Sequence, residues 1–469
     1  MNELLNNIEN QNQFPINTDE EGYVFPEDPL VKKNLLSWQN DKFGILIHMG
    51  LYSTLGVCES WGLCPEDEDW IPREGFESYY DYYNYYNNTI NLFNPINFDS
   101  EKLAKAIKKS GAKYVIFSSK HHDGFCLFDS KYTDFKVTAN NCPYHKSQKP
   151  DLLKDVLDAC RNEGLKVGIY FSKPDWHSDN FWWKYFPPKD RNPNYNIIKH
   201  KERWNKFIEF THNQIKELTT NYGKIDILWL DGCWIRPFKT INKKVEEFCS
   251  YPYDLDINIE QIAEEARKNQ PGLIIVDRWV QGKYENYLTP ERKIPEKPLS
   301  VPWESCITMG NAWGYIPNDN FKSPEEIISL LIDIIAKGGN LLLGFGPNGN
   351  GEFNSKIFDT LERIGCWIEN NSEAIYGSTP YPPFKDNNFV YIKNNNSIYA
   401  FYLNKENCIR LENQILIKLL SDKPFNVCIL NYKYEINYQF CDTVYKIMLD
   451  NSLKEFINQN KIITFKFYR

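Results

Sequence analysis

The chain has no apolar run that approaches the roughly 20 residues a membrane helix needs, and Met1 to Leu30 are rich in Asn, Asp and Glu without a basic start or an apolar core. These absences predict no membrane contact and no signal peptide. The sequence as it stands reads as cytoplasmic, and as extracellular or lysosomal if a leader has been removed. There is no Cys-x-x-Cys pair among the 12 cysteines, so neither a zinc cage nor a dense disulfide framework is expected, and most thiols are expected to be buried and free. Positive charge is in deficit, with 54 Lys and Arg against 62 Asp and Glu, and the net charge of -8 argues against a nucleic-acid partner. No Gly-x-Gly-x-x-Gly follows an early strand, which removes the usual reason to expect a dinucleotide cofactor.

What is present points elsewhere. A chain of 469 residues, 42% hydrophobic and 25% charged, can bury a large core and is long enough for two domains. Aromatics make up 15%, including 13 Trp and 30 Tyr, and such rings both fill cores and stack on sugar rings. Apolar runs at 43–49, 113–119, 165–172, 225–230, 272–277 and 339–344 read as strands buried on both faces. Amphipathic stretches at 101–110, 151–163, 202–220, 259–268, 324–337 and 353–370 read as helices between or after them. Repeated βα units predict a (β/α) barrel, with an open doubly wound sheet as the runner-up. From about Thr379 the texture changes: Pro380, Pro382 and Pro383 read as a linker, followed by short runs at 389–392, 397–403 and 425–430 separated by Asn-rich turns. The expected architecture is a TIM-like catalytic barrel over 1–378 with a polar lead-in, and an antiparallel β-sandwich over 379–469.

Polar residues recur where the strands end: His48, His121 with His122, Tyr170 with Asp175, Asp231, and Arg278. In a barrel these ends surround one pocket. Adjacent histidines on a regular strand point to opposite faces, so His121 and His122 could share one ligand only at an irregular strand end. Carboxylates among aromatics suit glycoside hydrolysis, which in its retaining form needs a nucleophile and an acid/base about 5 to 5.5 Å apart. Asp231, followed by Gly232, is the expected nucleophile. For the second carboxylate the residues alone leave Glu291 and Glu304 open. No metal and no cofactor are expected.

Several long motifs, in order, resemble the α-L-fucosidases of glycoside hydrolase family 29: Phe43-Gly-Ile-Leu-Ile-His-Met-Gly-Leu-Tyr, Lys120-His-His-Asp-Gly-Phe-Cys-Leu-Phe-Asp, Ile227-Leu-Trp-Leu-Asp-Gly, Trp303-Glu-Ser-Cys with Trp313-Gly-Tyr, and Gly338-Gly-Asn-Leu-Leu-Leu. The resemblance is close over about 38–375. It implies a (β/α) barrel followed by a β-sandwich, a retaining mechanism and no metal. It implies that Asp231 is the nucleophile and that His48, His121, His122, Tyr170, Trp229 and Arg278 line a fucose pocket, with Trp313 beside them. Glu285 to Glu291 resembles the acid/base segment of broad-specificity members, which favours Glu291 with Glu304 second. Met49 stands where many relatives have Trp, and Asp69-Trp70 is matched to a pocket Glu-Trp, with Glu68 as a substitute for the shorter Asp69. The expected partner is a fucosylated oligosaccharide or glycoconjugate. A same-fold enzyme for a related sugar such as an α-L-galactoside, a silent sugar-binding protein and a metal hydrolase are the rivals; linkage and oligomeric state are not legible.

Overall fold

The computed structural model describes residues 20–69, 71, 73, 75–247, 250–404, 413–421 and 424–469. Seven strands form one parallel sheet: β1 (Phe43–Ile47), β2 (Tyr114–Lys120), β3 (Lys166–Ser172), β4 (Ile227–Asp231), β5 (Ile274–Asp277), β6 (Glu304–Thr308) and β7 (Asn340–Phe345), in the order β5-β4-β3-β2-β1-β7-β6. Every residue of β1, β2, β5, β6 and β7 is buried, as covering both faces of a sheet requires. One set of alternating side chains, including Leu46, Tyr114, Ile116, Tyr170, Ile227, Trp229, Val276, Cys306 and Leu342, packs into a shared inner cluster with Trp38 and Tyr287. The other set packs with the helices. The sheet is therefore curled around an interior of its own.

Between β5 and β6 runs the segment 284–292. It is tied to β5 by Asp277 N to Tyr284 O (2.8 Å) and Asn286 N to Ile275 O (3.0 Å). It is tied to β6 by Glu304 N to Leu288 O (2.9 Å) and Arg292 N to Cys306 O (2.8 Å).

Most of the helices start on residues that satisfy free N–H groups; helix Lys201–Asn221, which follows His200, does not. Asp99 accepts from Lys102 N at 2.9 Å, Asp151 from Lys154 N at 3.1 Å, and Ser323 and Glu326 form a reciprocal box with Pro324 in the first turn. Two elements lie in what reads as a loop or lead-in. Helix Pro29–Asp41 buries Val31, Leu35 and Trp38. The tyrosine run forms helix Tyr79–Asn88, with Tyr82 and Tyr86 inward at helical spacing. β6 also escapes sequence reading, because Glu304, Ser305 and Thr308 break its apolar pattern.

Beyond residue 378 the strands are antiparallel: β8 (Thr379–Asp386), β9 (Phe389–Asn394), β10 (Ser397–Leu403), β11 (Gln414–Lys418), β12 (Asn426–Ile429), β13 (Tyr438–Cys441), β14 (Val444–Met448) and β15 (Ile462–Tyr468), with helix Asn451–Gln459 before the last. They form a five-stranded sheet, β12-β15-β10-β9-β8, and a three-stranded sheet, β11-β14-β13, whose buried residues share one cluster. The proline-rich stretch expected as a linker is β8 itself. It lies at the sheet edge with its pairing interrupted between Pro380 and Lys385, the position where missing N–H donors cost least. Among the described residues no helix is long and apolar enough to cross a membrane.

Candidate active site

Asp231 is the last residue of β4, and the chain leaves it through Gly232 at φ +92°, where a Cβ would lie 2.4 Å from Pro174 Cδ. Only glycine makes that turn without strain, so the carboxylate stays at the strand end. Tyr170 on β3 donates its hydroxyl to Asp231 Oδ2 at 2.7 Å, and His122 Nε2 lies 3.8 Å from the same oxygen. Arg278, the residue after β5, is pinned through its N–H to Leu230 O at 3.1 Å. One terminal nitrogen donates to Asp231 Oδ1 at 3.0 Å and the other to Glu291 Oε2. Its guanidinium carbon lies 5.0 Å from the centre of the Trp229 ring and 4.9 Å from that of Trp279. One guanidinium thus holds two carboxylates from two different segments.

Burial alone would raise the Asp231 carboxyl. Arg278, His122 and the Tyr170 hydroxyl outweigh it and hold the group well below the usual carboxylate range. The histidines are pushed the other way. Burial lowers His48 to about 3 and His122 to about 4, against the pull of Asp231, and lowers His121 well below its ordinary value. At neutral pH all three rings are uncharged hydrogen-bonding groups.

Adjacent on the chain, His121 and His122 nevertheless sit on one side. The β2–β3 register shifts between Ser118 and Lys120, and the turn beyond it brings their ring centres to 4.3 Å. His121 Nδ1 is 2.6 Å from Ser60 Oγ, and His122 Nδ1 is 2.5 Å from Ser172 Oγ. His48 closes the group, its ring 5.0 Å from Tyr170 and 5.8 Å from His121 and Trp313. His48 Nδ1, His122 Nε2 and Arg278 Nε are buried without a hydrogen bond inside the protein. Among the described residues one trio has metal-donor spacing, Cys64, Glu66 and Asp67, and Arg191 ion-pairs with both of its acids.

Asp231, Glu291, His48, His121, His122, Tyr170, Trp229, Arg278 and Trp313 are thus brought together. Glu304 is not among them. It opens β6 in register with Asn340, the first residue of β7, at the opposite end of the strands from Asp231. Asp69 is exposed, Glu68 pairs with Arg73 at 3.2 Å, and Trp70 lies outside the described residues. The indole against the histidines is Trp61, 4.8 Å from His122 and 6.2 Å from Trp234, which itself lies 5.1 Å from His122. Glu59, buried before Ser60, accepts from Gly314 N at 2.8 Å and ties this loop to the Trp313 segment. The triplet Glu59-Ser60-Trp61 was the available signal for these residues, an acid and an indole two apart in a loop after the first strand. Met49 is buried in the same apolar cluster as Ile45 and Ile47.

A family model for α-L-fucosidase matches residues 11–373 of the chain. An α-L-fucosidase of Dictyostelium discoideum is 28% identical over 393 residues, covering 80% of this chain and 79% of the other. Human plasma α-L-fucosidase is 28% identical over 362 residues, covering 74% and 71%. The solved structure of α-L-fucosidase isoenzyme 1 from Paenibacillus thiaminolyticus matches with a TM-score of 0.73 at 28% identity, over 94% of this chain and 99% of that one.

Proposed function

The chain belongs to the α-L-fucosidase family and is a glycoside hydrolase, and we propose that it is a retaining exo-α-L-fucosidase that frees terminal α-L-fucosyl residues from glycans or glycoconjugates. The observation that carries this reading is the shared clamp of Arg278 on Asp231 and Glu291. Two carboxylates gripped by the two arms of one guanidinium face one space from different segments, which supports the retaining form, whose pair stands about 5 Å apart, over the inverting one.

Asp231, ionised and aimed from the strand end, attacks the anomeric carbon. The bond to the leaving oxygen breaks as Glu291 supplies its proton, leaving a fucosyl ester on Asp231. Water then attacks the same carbon, gives its proton to Glu291 and releases fucose and free Asp231. The uncharged rings of His48, His121 and His122 meet the sugar hydroxyls, and the unpartnered His48 Nδ1 and His122 Nε2 support that role. Trp229, Trp313 and Trp61 supply apolar walls.

In this reading the sheet is a closed (β/α) barrel with segment 284–292 filling the gap between β5 and β6, so the segment that completes the wall also delivers Glu291. Residues 379–469 form a β-sandwich domain around the core shared by their two sheets. The test is nitrophenol release from a panel of nitrophenyl glycosides, by the wild type and by Asp231→Ala. Hydrolysis confined to the α-L-fucoside, and lost by ~10³-fold or more in the variant, is the expected result. A variant that keeps wild-type turnover would overturn the assignment of the nucleophile.

A further inference from the structure

Of the buried acids that this chemistry leaves unused, Glu304 is the most enclosed. Its side chain is 0% exposed at the N-terminal end of β6, and its Oε2 accepts the Tyr114 hydroxyl at 2.5 Å. Its Oε1, the Tyr287 hydroxyl and the Trp229 indole N–H are all buried without a formed hydrogen bond, and the last two stand near enough to the carboxyl to pull it down. Trp38 stacks on Tyr287 with ring centres 4.0 Å apart. The groups acting on Glu304 are hydroxyls and an indole N–H, with no cation among them.

Burial without a cation decides what Glu304 can be. A carboxylate enclosed without a cation is costly, whereas a carboxylic acid is a hydrogen-bonding group like any other. The indole N–H can only donate, and a tyrosine hydroxyl can donate or accept. A neutral acid at Glu304 can therefore accept from Tyr114 and Trp229 and donate to Tyr287, satisfying all of them. An anion could accept from all three, so what favours the acid is complete burial with no cation beside it.

We propose that Glu304 is a positioning residue: a neutral carboxylic acid beneath the pocket that fixes the indole of Trp229, the ring on which Arg278 rests, and thereby sets where Arg278 holds Asp231 and Glu291. Burial, which raises the Glu304 carboxyl to about 8 against the pull of its three neighbours, agrees with the neutral form. The proposal rests on the reading of Asp231 and Glu291 as the reacting pair. It differs from making Glu304 the acid/base, since it requires no proton transfer to substrate.

The experiment compares Glu304→Gln, Glu304→Leu and Tyr114→Phe with the wild type on nitrophenyl α-L-fucoside across pH 4 to 9, alongside melting temperatures over the same range. Glutamine is neutral and keeps a donor and an acceptor, so kcat stays within ~3-fold of wild type and the pH profile is unchanged. Leucine keeps the volume but not the hydrogen bonds, so kcat falls by ~10-fold or more with KM nearly constant, and Tyr114→Phe falls between the two. Replacing an acid that ionises reluctantly removes a pH-dependent penalty, so the melting temperature of Glu304→Gln rises relative to wild type as pH goes from 5 to 8. Loss of activity in Glu304→Gln equal to that in Glu304→Leu, or wild-type kcat in both, overturns the proposal. If the wild type turns over no fucoside, the reading of the reacting pair fails and the positioning role falls with it. The melting comparison still decides, separately, whether Glu304 is a neutral acid.

Discussion

The hydroxyl of Tyr170 and the guanidinium of Arg278 grip opposite oxygens of Asp231, Oδ2 at 2.7 Å and Oδ1 at 3.0 Å. Tyr170→Phe removes the neutral half of that grip. We expect kcat/KM to fall ~10- to 100-fold and the acid limb of its pH profile to move upward, because the anion loses a donor that stabilises it. An unmoved limb would limit Tyr170 to contact with the sugar.

Arg278→Lys keeps a positive charge but not the two-armed fork that reaches Asp231 and Glu291 together. The expected loss in kcat/KM is ~10²-fold or more, with the melting temperature nearly kept. Lysine activity close to wild type would show that charge alone suffices.

The two carboxylates can be told apart by azide. In Glu291→Ala, azide enters the emptied acid/base side and intercepts the fucosyl ester, giving the α-L-fucosyl azide with restored turnover on activated fucosides. In Asp231→Ala it replaces the nucleophile and gives the β anomer. Exchange of these products, identified by NMR, would reverse the assignment.

Ser60 touches His121 at 2.6 Å, and Trp61 packs edge-on to His122. Trp61→Ala should lower kcat/KM ~10- to 100-fold, mainly through KM, and Ser60→Ala by less. Titration of fucose against each folded variant checks this, and unaltered affinity would remove Trp61 from the pocket wall.

His48 and His122 stay neutral when folded, at about 3 and 4, but protonate near 6.5 when unfolded. Between those values the unfolded chain binds more protons, so their contribution is fully present above about 6.5 and is lost as pH falls toward 4. Each then costs about 2 kcal/mol at pH 5 relative to neutral pH. Denaturant midpoints measured from pH 7 to pH 4 should fall more steeply in the wild type than in His48→Asn.

Much of this was legible in the order of residues. Strands β1 to β5 and β7 are apolar runs because both faces are covered, and Asp231, Tyr170, His48 and Arg278 stand where those runs end. The pattern failed where burial and polarity coincide. β6 carries Glu304 and Ser305 inside the fold, helix Tyr79–Asn88 looks like an aromatic loop, and β8 carries three prolines on a sheet edge.

The sequence by itself determined the alternating architecture, the strand-end residues and the family, since each depends on local periodicity or on motifs contiguous in the chain. The tertiary structure alone decided three things. It separated Glu291 from Glu304, because strand register sets which end of the sheet each acid reaches. It put Trp61 against the histidines. It also joined Asp231 to Glu291 through Arg278, across 60 residues of chain, since a charge pair is chosen by distance in space and by the cost of burying either partner alone.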